Sequence, residues 1–109
     1  MTYEETKKFI ANIIREELVL KGLEVKQIVL FGSQSRGNAA PDSDWDFLVS
    51  ITEELNFREK MMVTTVIQRR LAQKHISVDI IIKSERKISQ EKDNIGVITF
   101  YALKEGVTV

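Results

Sequence analysis

The sequence predicts an α+β domain in which helices cover a small β-sheet. Three observations carry this reading. Two stretches, around residues 9–18 and 61–71, repeat apolar residues at helical spacing. Three short runs, at 25–31, 46–51 and 76–82, are rich in β-forming residues. The order helix, strand, loop, strand, helix, strand, helix lets each element bury one face against another.

The elements follow in turn. Thr2 and Glu5 have capping-box spacing and open a helix whose apolar face is Phe9, Ile10, Ile13, Ile14 and Leu18. Lys21-Gly22 suits its end. Val25 to Phe31 is a strand ending at Gly32, and residues 37–43, which include the single proline Pro41, form a loop. Asp46 to Ile51 is a second strand. Asn56 with Glu59 starts a second helix, with Met61, Met62, Val66, Ile67 and Leu71 as its expected buried side. Ile76 to Ile82 is apolar enough to be expected centrally in the sheet. The mixed charges of Lys83 to Asp93 suit an exposed turn or short helix. A last helix is expected over Ile95 to Lys104, and Gly106 to Val109 is a closing turn with an edge strand.

Composition narrows the possibilities. The 109 residues suit one domain spanning 1–109, with a core and no residues left for a second. The absence of cysteine excludes disulfides, thiolate metal sites and cysteine nucleophiles, and suits a reducing cytoplasm. No apolar run reaches the roughly 20 residues that span a bilayer, and the start resembles no signal peptide. Sixteen basic residues balance sixteen acidic ones, which disfavours direct nucleic-acid binding, since that affinity comes from neutralising phosphates.

Polar residues concentrate in one place: Phe31-Gly32-Ser33-Gln34-Ser35-Arg36-Gly37, followed by Asp42-Ser43-Asp44-Trp45-Asp46. Glycine at a strand end allows backbone to approach a ligand closely. Ser33 to Arg36 suits one helical turn, whose first N–H groups, the Ser33 hydroxyl and the Arg36 guanidinium would favour phosphate; alone, the segment is an ordinary Gly/Ser turn. Asp44 and Asp46 are two apart where a strand begins, so they leave one face about 7 Å apart and can converge on a hard cation. Asp79, inside Ser77-Val78-Asp79-Ile80-Ile81-Ile82, is the least expected acid in the chain; unless it faces water at a sheet edge, it needs a partner. If its strand neighbours that of Asp46, the three acids make a metal site. His75 suits a helix C-terminus, Trp45 core packing or base stacking, and Met61-Met62 core filling.

Gly32-Ser33, ten intervening residues and Asp44-x-Asp46 fix four residues, a coincidence expected by chance about once in a thousand chains of this length, and Asp79 adds a third acid on a later strand. The chain resembles the nucleotidyltransferase superfamily that includes DNA polymerase β, most closely its minimal nucleotidyltransferases. Leu30-Phe31, Arg36-Gly37, Ser43 and Phe47-Leu48-Val49 extend the likeness, which reaches Glu105-Gly106-Val107. The resemblance implies a two-layer α/β sandwich with a small mixed sheet. It implies a nucleotide site at Gly32 and Ser33, assisted by Arg36, and two magnesium ions on Asp44, Asp46 and Asp79, with Asp79 helping to deprotonate the attacking hydroxyl. Minimal members are typically antitoxins whose partner is an all-helical HEPN ribonuclease. The resemblance therefore implies transfer of AMP from ATP to a tyrosine hydroxyl of such a toxin, in a hetero-oligomer. Two other readings stand beside it: a binding module that silences a helical partner by covering it, and a transferase acting on a small hydroxylated molecule such as an aminoglycoside.

Overall fold

The computed structural model describes residues 1–37, 39–40 and 42–109. Its first helix, α1, runs Tyr3–Leu20 behind the expected capping box: Thr2 Oγ1 accepts from the Glu5 amide at 3.1 Å and Glu5 Oε1 accepts from the Thr2 amide at 2.8 Å. It ends as expected, with Gly22 at φ 76° and its N–H donating back to the Val19 carbonyl. Strand β1 is Val25–Phe31 and β2 is Trp45–Ile51, paired antiparallel. Helix α2, Phe57–Ala72, carries the second capping box on Asn56 and Glu59. Strand β3, Val78–Ser84, lies parallel to β2. Short helices α3, Glu85–Glu91, and α4, Ile98–Glu105, follow, and β4, Val107–Thr108, pairs antiparallel with β1.

The sheet order is β3-β2-β1-β4, a mixed four-stranded sheet in an α+β fold. Alternation along the strands separates two faces. Ile28, Leu30, Phe47, Val49, Ile51, Val78 and Ile82 point to the side where α1 and α2 pack, and build the main core with Ile10, Ile14, Leu18, Val63, Ile67 and Leu71. Val29 and Leu48 point to the other side and meet Ala102 of α4, with Ile88 of α3 alongside. No described helix is long and apolar enough to cross a membrane.

Two expectations are corrected. The third strand is shifted to Val78–Ser84 and lies at the sheet edge, not its centre. Its apolar run is met by helices: Ile80 and Ile82 pack on the main core and Ile81 on the smaller one. Apolar residues on both faces therefore require cover above and below, not a strand on each side. The buried stripe of α2 is Val63, Ile67 and Leu71, at i, i+4 and i+8, whereas Met61, Met62 and Val66 are 51%, 55% and 38% exposed. The sequence offered two overlapping apolar sets on this helix, and docking on β3 and α1 selected one.

Other expectations hold. Trp45 is buried and stacks on Tyr3, ring centroids 5.4 Å apart. His75 is exposed at φ 58°, in the turn that closes α2, its N–H bonded to the Ala72 carbonyl at 3.0 Å. Lys83 to Asp93 contains the short helix α3, capped by Ser84. Pro41, which marked the loop in the sequence, lies outside the described residues.

Candidate active site

The apolar strand β1 delivers the chain to Gly32, where φ is 75° and ψ −162°. L-residues rarely adopt this conformation. A Cβ here would collide with Asp46 Oδ2 and lie 3.3 Å from Asp46 Cγ, so only glycine lets this turn approach the carboxylate. Ser33–Arg36 then forms a single 3-10 turn. The Gly32 carbonyl accepts from the Ser35 amide at 3.1 Å and the Ser35 hydroxyl at 2.7 Å, and Gly37 closes the turn at φ 73°. Such an opening turn leaves its first N–H groups without partners inside it. Ser33 is half-buried at its start, and Arg36 is exposed at its end with no ion pair among the described residues.

Asp46 lies on the β3 side of this turn, in register with Phe31 of β1 and with Asp79 of β3. Adjacent strands lie about 4.8 Å apart, and residues in register share a face. Asp46 and Asp79 are therefore side by side on the sheet face opposite α1 and α2. Asp44 stands just ahead of β2, which begins at Trp45, so strand alternation alone does not aim it. Its charge nonetheless reaches Asp46. The Asp46 carboxyl is pushed above the ordinary aspartate range, first by partial burial, then by the negative charges of Asp79 and Asp44. Asp44 and Asp79 are exposed.

The three expected acids thus sit at one end of the sheet beside Gly32 and Ser33. They are oxygen donors of the kind hard divalent cations take, and a cation would relieve the repulsion that raises Asp46. Among the described residues no group of three acidic or histidine side chains stands close enough to hold a metal ion by itself. Magnesium takes a few carboxylates and completes its shell with waters and substrate phosphate oxygens, and Asp46 with Asp79 in register beside it supplies carboxylates of that kind. Chemically, the arrangement can neutralise a polyphosphate and align one of its phosphorus atoms. The single histidine, His75, lines a neighbouring cavity together with Gln34, Ser43 and Trp45.

Sequence reasoning missed the clamp that holds the turn. Gln34 is 7% exposed; its Nε2 donates to the Ser43 carbonyl at 3.1 Å, and its own carbonyl accepts from the Tyr3 hydroxyl at 2.5 Å. Gln34 thereby ties the glycine–serine turn to the segment that carries the acids. A glutamine between two serines gives no sign of this, because the partners lie 9 and 31 residues away.

Comparison with known proteins identifies the family. A family model described as polymerase β, nucleotidyltransferase, matches residues 9–100. A protein of Methanocaldococcus jannaschii named "Putative protein adenylyltransferase MJ0141" is 31% identical over 97 residues, covering 86% of this chain and 91% of that protein. A crystal structure of a toxin–antitoxin with AMP-PNP shares the fold at a TM-score of 0.60 and 21% identity, covering 89% of this chain and 69% of that one. A mutant of the toxin–antitoxin pair MntA–HpeT does so at 0.63 and 17%, covering 99% and 72%. With a match over most of its length and the glycine–serine turn beside its acids, the chain belongs to the polymerase β family of nucleotidyltransferases.

Proposed function

We propose that the chain transfers AMP from ATP to a hydroxyl, that of a tyrosine, on a helical HEPN-type toxin in the cytoplasm, and so acts as the antitoxin of the pair. The observation that carries this reading is Asp46 against the Gly32-Ser33 turn, with Asp79 in register beside it and the charge of Asp44 within reach. The name of the archaeal relative supports protein adenylylation, and the two toxin–antitoxin structures, one with AMP-PNP, support the partner class and the nucleotide.

In this reading Gly32 and Ser33 hold the triphosphate, and Arg36 supplies a guanidinium suited to its oxygens. Asp44, Asp46 and Asp79 hold two magnesium ions, which supply charge neutralisation on the polyphosphate. Asp79, on the open edge of the sheet, faces the side from which an acceptor hydroxyl can arrive and takes its proton. The hydroxyl oxygen bonds to the α-phosphorus while the bond to the bridging oxygen breaks, and pyrophosphate leaves in line. The Gln34 clamp keeps the turn and the acids in fixed relation throughout.

The test is direct. Incubation with the toxin encoded by the neighbouring gene, ATP and magnesium adds AMP to the toxin, seen by intact mass. An unchanged toxin mass with the folded protein overturns the reading. Full neutralisation by an Asp44→Asn/Asp46→Asn variant would establish occlusion in its place. Pyrophosphate release with an aminoglycoside but not with the toxin would establish the small-molecule acceptor.

A further inference from the structure

We propose that the cleft between Gly32 and one face of α4 is the base subsite of the nucleotide, with Tyr101 and Ile98 as its stacking wall. The inference rests on the nucleotidyl-transfer reading above and adds what holds the other half of the substrate.

The cleft has a volume of about 410 Å³, within the range of small-ligand sites, and is lined by Phe31, Gly32, Val97, Ile98, Tyr101 and Glu105. Gly32 belongs to it and to the turn beside Asp46, so the two sites share a floor. Phe31 is the β1 residue in register with Asp46. Ile98, Tyr101 and Glu105 are spaced i, i+3 and i+7, one stripe of α4. The helix is held at this height by close packing. Ala102 is fully buried against the sheet, and a Cβ at Gly106 would meet Val29 Cγ1 at 2.5 Å and the Leu30 carbonyl oxygen at 2.8 Å. Ala102 faces the core, while Ile98 and Tyr101 remain 49% and 47% exposed at the mouth of the cleft. An aromatic ring and an aliphatic side chain beside a glycine floor make a platform for a planar, largely apolar group. A nucleotide whose phosphates lie at Ser33 presents such a group, its base.

The experiment compares the affinities of AMP-PNP and inorganic tripolyphosphate, each with magnesium, for the wild-type chain, Tyr101→Ala and Tyr101→Phe, by calorimetry. Loss of a stacking partner weakens base binding roughly tenfold. Tyr101→Ala is expected to lose that factor for AMP-PNP and stay within about twofold for tripolyphosphate, and Tyr101→Phe to match the wild type for the two ligands. Unchanged AMP-PNP affinity in Tyr101→Ala, or equal weakening of the two ligands, overturns the subsite. So does an effect confined to the KM of the acceptor, which would give the cleft to the acceptor. Binding of neither ligand by the wild-type chain would overturn the nucleotidyl-transfer reading itself, and the subsite with it.

Discussion

The two faces of the sheet are built to different rules. Among the described residues, sixteen buried ones form the core between the sheet and helices α1 and α2, whereas Val29, Leu48 and Ala102 alone form that beneath α3 and α4. The contrast runs through adjacent residues of β2: Phe47 is fully buried on the first face, and Asp46, beside it in the chain, is half-buried on the second among like charges. Stability is concentrated on one face, which leaves the other free to hold carboxylates in an arrangement that costs folding energy. A strand's period of two makes the division possible within a single seven-residue segment.

Four substitutions break or sharpen this contrast. The largest effect is expected from Asp46→Asn, which should lower transfer at least about a thousandfold, as removal of a charge-stabilising group in phosphoryl chemistry does. The fold should survive it. Without metal, chemical denaturation should show equal or slightly greater stability, by under about 1 kcal/mol because the site is partly screened by solvent. Magnesium should then raise the midpoint of the wild type and not that of the variant. A variant destabilised as severely as a core mutant would show that Asp46 is structural.

Next comes Phe47→Ala, one residue away and facing the opposite side. It should cost about 3–5 kcal/mol in urea unfolding, through lost burial and the cavity left behind. Glu91→Gln probes the thin face. The Glu91 carboxylate accepts from Lys83 and, at 2.9 Å, from the Thr99 hydroxyl, so it joins β3, α3 and the start of α4. Its replacement should cost about 1–2 kcal/mol near neutral pH. The Lys83 hydrogen bond holds the Glu91 pKa below its ordinary 4.5. The stabilisation is therefore full above that value and fades as pH falls through the lowered folded-state pKa, and the variant should lack this component of acid unfolding. Equal pH profiles would refute the clasp. Smallest is Met62→Ser, expected to change stability by under about 0.5 kcal/mol because Met62 is 55% exposed. A loss of 2 kcal/mol or more would restore the core role that its helical spacing suggested.

The elements legible in the sequence were those fixed by short-range chemistry. Thr2 with Glu5, Asn56 with Glu59, and Gly22 each mark a helix end through partners within four residues. Gly32, Ser33 and the two close aspartates were visible because backbone freedom and charge spacing are local properties. What stayed hidden depends on distant partners. The apolar run of β3 reads the same whether strands or helices cover it. Two apolar sets share α2, and nothing within the helix chooses between them. The Gln34 clamp joins Tyr3, Gln34 and Ser43 across three segments.

By itself, the sequence determined that a glycine–serine turn follows one strand, that paired acids open the next, and that capped helices flank them, since each rests on spacing of a few residues. Only the tertiary structure decided that β3 lies parallel to β2 at the sheet edge, with Asp79 in register beside Asp46 and α4 closing a cleft over Gly32. The reason is physical: strand order, register and helix docking are settled by which apolar faces bury each other, and that competition involves the whole chain at once.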